Sequence, residues 1–241
     1  MNDPKVLVAV YSHSGDAVNG NHDKIRSTWG QHLPPWDLRF MIGHRDAPGW
    51  QIAPDEVLLP ERANRACGSD WQLWNLYYQE LTIEMLRWSL EQGYDFTFLC
   101  CNDTFVVPSK LKMTDFANYD YSGIFYPPDR APLGETFYEP FYKRPAYAAA
   151  DAGTGWFMSR KASQLVVDSK QEDYFGTSDQ YVGQVLGPHI RSGSIMAKVL
   201  DSFRHVAAWH YREEGILDAV LQTGYPATSN WQQGMYQKYG A

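Results

Sequence analysis

Apolar positions along this chain fall into two kinds of run, which together spell an alternation of strands and helices. The segment K-V-L-V-A-V-Y, Lys5 to Tyr11, is almost continuously β-branched and apolar, the pattern of a central parallel strand buried on both faces. Leu38–Ile42 predicts a second strand and Glu56–Leu59 a short third before Pro60, with a helix opening at His22 and ended by Gly30 between the first two. Trp71, Trp74, Tyr78, Leu81, Met85 and Trp88 recur at steps of three and four, one broad apolar helix face. Ser69 and Gln72 have capping-box spacing at its start, and Gly93 ends it. Behind Gly93 come Phe96, Phe98 and Leu99, then Phe105-Val106-Val107 stopped by Pro108.

Further on the pattern loosens. Asp120 to Tyr126 reads as a strand running into Pro127-Pro128. Asp129 to Pro145 is Pro- and aromatic-rich without periodicity, the expectation being a functional loop or lid. Ala146 to Gly155 is rich in small residues, which lets another chain or a ligand approach the backbone. Trp156 to Arg160 leads into a helix through Val167. Thr177-Ser178-Asp179-Gln180 caps another helix, containing Tyr181, Val182, Val185 and Leu186, with Gly187-Pro188 as its stop. A short helix is expected around Ile216–Leu221. With no repeat, linker or low-complexity block, the expected architecture is α/β, one domain over 1–241 with a mostly parallel sheet flanked by helices.

Two polar turns interrupt this apolar framework at strand ends. Asn102 and Asp103 stand between the Phe96 and Phe105 runs, and Ser12-His13-Ser14-Gly15 follows the first strand. In open α/β sheets ligands bind outside the carboxyl ends of the strands. The local pattern at Asp103-Thr104 fits a plain turn between core strands equally well. The Ser12 turn lacks a dinucleotide G-x-G-x-x-G and a Walker lysine, so it reads first as a generic β-α turn.

Composition narrows the partners. Of 241 residues, 21 are Lys or Arg and 28 Asp or Glu, a net charge of -7 that opposes bulk binding to a phosphate backbone, although a single flipped base stays compatible. The aromatic share is 15%, which suits packing and also stacking on sugars or bases. No stretch approaches the length of a membrane span, and Met1-Asn2-Asp3-Pro4 does not open a signal peptide. Cys67, Cys100 and Cys101 form neither a disulfide framework nor a C-x-x-C pair, so a cytosolic setting is expected.

Several segments, in order, resemble one enzyme family. Lys5–Val10 with Ile25-Arg26-Ser27-Thr28-Trp29-Gly30 is similar to the opening strand and I-R-x-T-W-G of the β-1,3-galactosyltransferase and fringe-like glycosyltransferases (glycosyltransferase family 31-like). Met85-Leu86-Arg87-Trp88 through Asn102-Asp103-Thr104-Phe105-Val106 resembles their L-R-W helix and D-D-D-T-F-V. Tyr126-Pro127-Pro128 and Gly153-Thr154-Gly155-Trp156-Phe157-Met158-Ser159-Arg160 resemble Y-P-P and G-G-G-Y-V-L-S-R. Ser178-Asp179-Gln180-Tyr181-Val182-Gly183 resembles E-D-V-Y-V-G. The resemblance implies a GT-A fold and inverting transfer of a sugar from a nucleotide donor, usually UDP-linked, to an acceptor hydroxyl, usually with manganese.

On that resemblance the nucleotide-binding part spans about 1–110 and the acceptor and catalytic part about 111–241. Tyr11, Ser12, Arg26, Cys101, Asn102 and Asp103 would line the donor site, with Asp103 and His210 toward Mn2+ or another divalent cation; His205 is a second match for the late histidine. Asp179 would be the general base, with the literal Glu172-Asp173 pair an alternative register and a helix N-cap its plain structural role. Tyr126, Gly153, Thr154, Gly155 and Trp156 would form the acceptor and sugar pocket, Trp156 as an aromatic platform or as core packing. The sequence departs from the family at Cys101, Asn102 and Ser178, where acids are expected. Weaker metal binding follows, or a metal-independent variant in which Arg26, His210 or Arg212 shares the phosphate charge. The acceptor would be a glycan, a protein or a small molecule. Family members of eukaryotes carry a membrane anchor and disulfides, so a bacterial or viral cytosolic member is implied. Two rivals stay open: an inactive nucleotide or sugar binder, and a phage-type transferase acting on a modified DNA base.

Overall fold

The computed structural model describes residues 3–63, 71–125, 136–139, 144–150, 154–170, 176–200 and 208–210. In chain order the elements are β1 (Val6–Ser12), α1 (Ser14–Val18), α2 (Asn21–Ser27), a 3-10 turn at Trp29–His32, β2 (Asp37–Ile42), β3 (Glu56–Leu58), a 3-10 turn at Glu61–Ala63 and α3 (Trp71–Glu91). They continue with β4 (Phe96–Cys101), β5 (Thr104–Val106), α4 (Pro108–Met113), a 3-10 turn at Phe116–Asn118 and β6 (Tyr121–Gly123). Then come β7 (Thr136–Glu139), β8 (Arg144–Tyr147), β9 (Trp156–Ser159), α5 (Arg160–Asp168), α6 (Ser178–Arg191), β10 (Ala197–Val199) and β11 (Ala208–His210).

Seven strands form one sheet in the order β10-β6-β9-β4-β1-β2-β3. β1 is parallel to β2 and β4, β2 to β3, and β6 to β10, while β9 runs against both β4 and β6. All seven residues of β1 are buried. Because side chains alternate across a strand, Leu7, Ala9 and Tyr11 join one core cluster and Val6, Val8 and Val10 the other. On the Leu7 side, α3, α5 and α6 contribute Leu81, Met85, Val166 and Val182; on the Val8 side, Ile25, Trp29 and Leu111 come from α2, the 3-10 turn and α4. The result is a mixed α/β sheet covered by helices on both faces, as the continuous apolar run of β1 predicts.

Chain order makes β1 the turning point, since β2 and β3 extend the sheet to one side and β4 to the other. At such a reversal a crevice is expected at the strands' carboxyl ends, which here are Ser12 and Cys101. Two small antiparallel pairs flank the sheet: β5 with β11, and β7 with β8.

Some boundaries differ from the sequence reading. α2 ends at Ser27 rather than Gly30, because the Thr28 hydroxyl donates back to the Lys24 carbonyl at 2.5 Å and the chain tightens into the 3-10 turn. Gly30 sits within that turn, where a Cβ would lie 2.7 Å from the Ile25 carbonyl oxygen. α6 passes through Pro188 to Arg191: the proline falls in the last turn, and its carbonyl accepts from the Ser192 N–H at 3.0 Å. Pro108 stops β5 and also opens α4 as its first residue, where its missing N–H costs nothing. The aperiodic 129–145 stretch holds β7 and the start of β8, strands too short for periodicity to register. Ser69 and the expected helix at Ile216–Leu221 lie outside the described residues. No helix among those described is long and apolar enough to cross a membrane.

Candidate active site at the β1–β4 crevice

The parallel register sets Tyr11 of β1 opposite Cys101 of β4, so the last residues of the two strands open on one edge. Cys101, Asn102 and Asp103 are all half-buried there, a turn partly open to solvent at the end of a buried strand. β11 pairs antiparallel with β5 and puts His210 opposite Thr104, so the backbone brings the late histidine next to Asp103 from the far end of the chain. Cys100, one residue back, is fully buried, and burial first and the Asp103 charge second push its thiol far above the usual range.

Tyr11 ties this edge to two helices. Its phenol lies 2.8 Å from Thr82 Oγ1 of α3; Thr82 Oγ1 itself donates to the Tyr78 carbonyl at 2.7 Å, so the phenol is the donor of the pair. Burial drives the Tyr11 phenol far above its ordinary range, the Thr82 bond offsets part of this, and the Asp179 charge adds to the rise. The same phenol has the Ser178 side chain within hydrogen-bonding reach. Tyr11 is therefore a neutral strut at physiological pH, with the β4 turn on one side and the start of α6 on the other.

Asp179 stands in the first turn of α6 and is buried, 7% exposed. Its Oδ1 accepts from the Thr177 hydroxyl and from the Gln180 N–H at 2.9 Å. The helix N-cap is Thr177, so the N-cap role expected of Asp179 is corrected: its carboxylate lies inside the first turn, where the macrodipole favours negative charge.

A second network underlies Ser12. Ser12 Oγ is 2.5 Å from His22 Nε2 and donates to Asp16 Oδ2 at 3.2 Å, and His22 Nδ1 is 2.7 Å from Glu56 Oε1. Glu56 also accepts from Arg26 at 3.4 Å, from Trp50 Nε1 at 3.1 Å and from the Ala53 N–H at 3.0 Å. Arg26, Trp50 and the Ala53 amide all donate to this carboxylate, and the His22 Nδ1 proton completes its shell. The order is that of a serine-histidine-acid relay, but His22 is 0% exposed and stacked on Phe40 at 4.0 Å, so the network braces the turn from inside. Burial lowers the pKa of His22 and raises that of Asp16.

Arg26 belongs to this brace. Its guanidinium donates to both Asp55 oxygens at 2.8 and 2.6 Å and to Asp23 at 2.7 Å, which holds it charged. Burial alone would raise the Asp55 pKa; the Arg26 hydrogen bonds and charge outweigh it and leave that pKa lowered. The contacts of Arg26 are thus those of a cation paired with Asp55 and Asp23.

The expected acceptor pocket is reached only in part. Tyr126 and Gly153 lie outside the described residues. Trp156 is 0% exposed in the core, and an indole with no exposed face cannot stack on a sugar, so the platform reading gives way to packing. Thr154 is buried as well. Gly155 has φ +89°, and a Cβ there would meet the Phe98 ring at 2.6 Å and the Leu99 carbonyl at 2.8 Å, which explains the glycine by its approach to β4.

For a divalent cation the donor set is thin. No group of three or more His, Cys, Asp or Glu suited to a metal exists among the described residues. A cation at Asp103 would need further oxygen ligands, such as those of a diphosphate, to complete its sphere.

The roles of Thr82, His22, Asp16, Glu56 and Thr177 at the site are not legible in the sequence, where His22, Glu56 and Thr177 mark only element boundaries. A buried serine, histidine or glutamate in an amphipathic segment looks like any solvated one until its distant partner is known.

No family model matches the chain, and no curated protein matches it. Among solved structures, the chain is similar to a glycosyltransferase involved in the glycosylation of the major capsid of PBCV-1, with TM-score 0.48 and 10% identity over 95% of this chain and 99% of that one. It is also similar to A197 from STIV, with TM-score 0.39 and 10% identity over 86% of this chain and 85% of that one. With TM-scores below 0.5, neither likeness bears on what this chain does.

Proposed function

We propose that the chain is one GT-A-type glycosyltransferase domain that moves a sugar, with inversion, from a nucleotide donor to an acceptor hydroxyl. The observation that supports this reading is that Tyr11 stands opposite Cys101 in the β1–β4 register and has Ser178 and Asp179, at the start of α6, as electrostatic neighbours, so three sequence-remote segments resembling one family lie near one residue. The donor, a UDP-sugar in this reading, sits in the crevice with its diphosphate toward Asn102 and Asp103. Asp179 takes the proton of the acceptor hydroxyl. The acceptor oxygen then bonds to the anomeric carbon from the face opposite the diphosphate, and the bond from that carbon to the leaving phosphate oxygen breaks with its electron pair going to the diphosphate. A divalent cation held by Asp103 and His210 would neutralise the charge that builds on the departing diphosphate. The Asn102 amide adds a neutral ligand or a hydrogen bond to the donor. With acids absent at 101 and 102, cation affinity is low and part of that charge falls to polar groups of the crevice. Cys100 and Cys101, neither of them in a disulfide, fit a cytosolic setting.

Release of UDP from UDP-glucose, UDP-galactose and UDP-N-acetylglucosamine, with and without Mn2+, is the test. Turnover of at least one donor, lost in Asp179→Asn, supports the reading, and absence of turnover with all three contradicts it.

The eroded acidic turn and the thin metal donor set favour a second reading, an inactive nucleotide or sugar binder. Calorimetry that finds UDP bound while no UDP-sugar is turned over selects it. The net charge of -7 weighs against the phage-type DNA acceptor.

A further inference from the structure

Thr177 is the N-cap of α6, with extended backbone at φ -72° and ψ 175°, yet its side chain caps no backbone N–H. A threonine at this position ordinarily satisfies an orphan amide of the first turn, and forgoing that bond weakens the helix. Here the hydroxyl donates instead to Oδ1 of Asp179, two residues on, and the Gln180 N–H donates to the same oxygen. Two donors from different directions on one oxygen fix the rotation of the carboxylate about its own bonds.

The lead-in is held as tightly. Gly176 has φ +88°, and a Cβ there would run into the side chain of Gln180, so the chain enters α6 through a turn only glycine fits. Gln79 of α3 donates to the Gly176 carbonyl, and three residues along the same helix Thr82 takes the Tyr11 phenol. One helix thus anchors both the strand end and the loop that carries Thr177.

We infer that Thr177 is a positioning residue of the transfer reaction, acting through Asp179 by trading a helix-capping bond for a fixed orientation of the carboxylate. This rests on the reading of Asp179 as general base. The threonine hydroxyl is committed to the Asp179 carboxylate, so its removal misaligns the base without weakening donor binding.

The test uses the full chain and whichever of UDP-glucose, UDP-galactose and UDP-N-acetylglucosamine the wild type turns over fastest. Thr177→Val keeps the shape and loses the hydroxyl; Thr177→Ala is a second variant should the valine disturb folding; Thr177→Ser keeps the donor. The expected result is a kcat lowered roughly ten- to a hundred-fold in the valine and alanine variants, donor KM within about twofold of wild type, and kcat restored to within about twofold by serine. In an Asp179→Asn background, Thr177→Val should cause no further loss. Wild-type kcat in a folded Thr177→Val or Thr177→Ala protein, or failure of serine to restore it, overturns the inference while leaving the base in place. Undiminished turnover by Asp179→Asn overturns the base assignment, and the inference with it.

Discussion

Tyr11 and Cys101 face each other across the parallel β1–β4 pair, and the Tyr11 phenol is shared between that strand edge and the first turn of α6, where Asp179 lies. A buried, neutral phenol donating to Thr82 therefore joins the expected donor turn to the expected base. Substitutions at this junction separate donor binding from chemistry.

Cys101 stands where the resembled family carries an acid, and a thiol is a poor partner for a hard cation. Cys101→Asp should tighten UDP binding in the presence of Mn2+ about ten-fold and leave metal-free binding unchanged or weaker, read by calorimetry at matched ionic strength. Equal affinity with and without Mn2+ in the variant would mean that no cation sits at this turn.

Glu56 accepts four hydrogen bonds in the brace beneath Ser12. Glu56→Ala strands the His22 Nδ1–H, the Trp50 indole N–H and the Ala53 amide, and is expected to cost about 3–5 kcal/mol in urea unfolding. A loss below about 1 kcal/mol would show that water replaces the carboxylate readily.

His22 supplies a pH signature. Its pKa in the fold is lowered from 6.5 by burial, against the pull of Glu56 and Asp16. The unfolded chain therefore binds more protons than the folded one below about pH 6.5, and stability falls as pH drops. The contribution is fully present above the unfolded value and is lost as pH falls toward and through the folded one. Asp16, whose pKa burial raises, works in the opposite sense in acid, so the His22 part is read as a difference: His22→Gln, though less stable at pH 8, should lose less of its thermal midpoint than the wild type as pH falls below about 6.5. An unchanged slope in the variant would move the origin of the acid sensitivity elsewhere.

How far the sequence could be read depended on the range of the interactions. The β1 run, the α3 periodicity and the Gly93 stop are local consequences of burial and backbone freedom, and all three appear in the fold. The Asn102-Asp103 turn was legible because polar residues closing an apolar strand have few other places to go. The brace of Ser12, His22 and Glu56 was not, since only the arrival of β3 at the sheet edge brings the carboxylate to the imidazole. For Trp156 the sequence leaves platform and core packing open, because aromatic residues pack and stack with the same surface, and its burial decides for packing. At Gly155 the small residue admits either another chain segment or a ligand, and the approach of Phe98 and the Leu99 carbonyl is the first of these.

Asp103 and Asp179 should fail differently. Asp103→Asn acts on the donor's charge and is expected to raise donor KM and alter the response to Mn2+. Asp179→Asn keeps shape and hydrogen bonding yet cannot take a proton, so it should spare UDP affinity. Steady-state kinetics over a Mn2+ series distinguishes the two, and identical profiles would argue against separate roles.

The most direct test of the account is the rate of UDP release from a UDP-sugar by wild type and by Asp179→Asn, with UDP affinity measured on the same preparations. The account predicts a fall of roughly 10²–10⁴-fold in turnover with UDP affinity unchanged within about twofold. Turnover by Asp179→Asn equal to that of the wild type would contradict it.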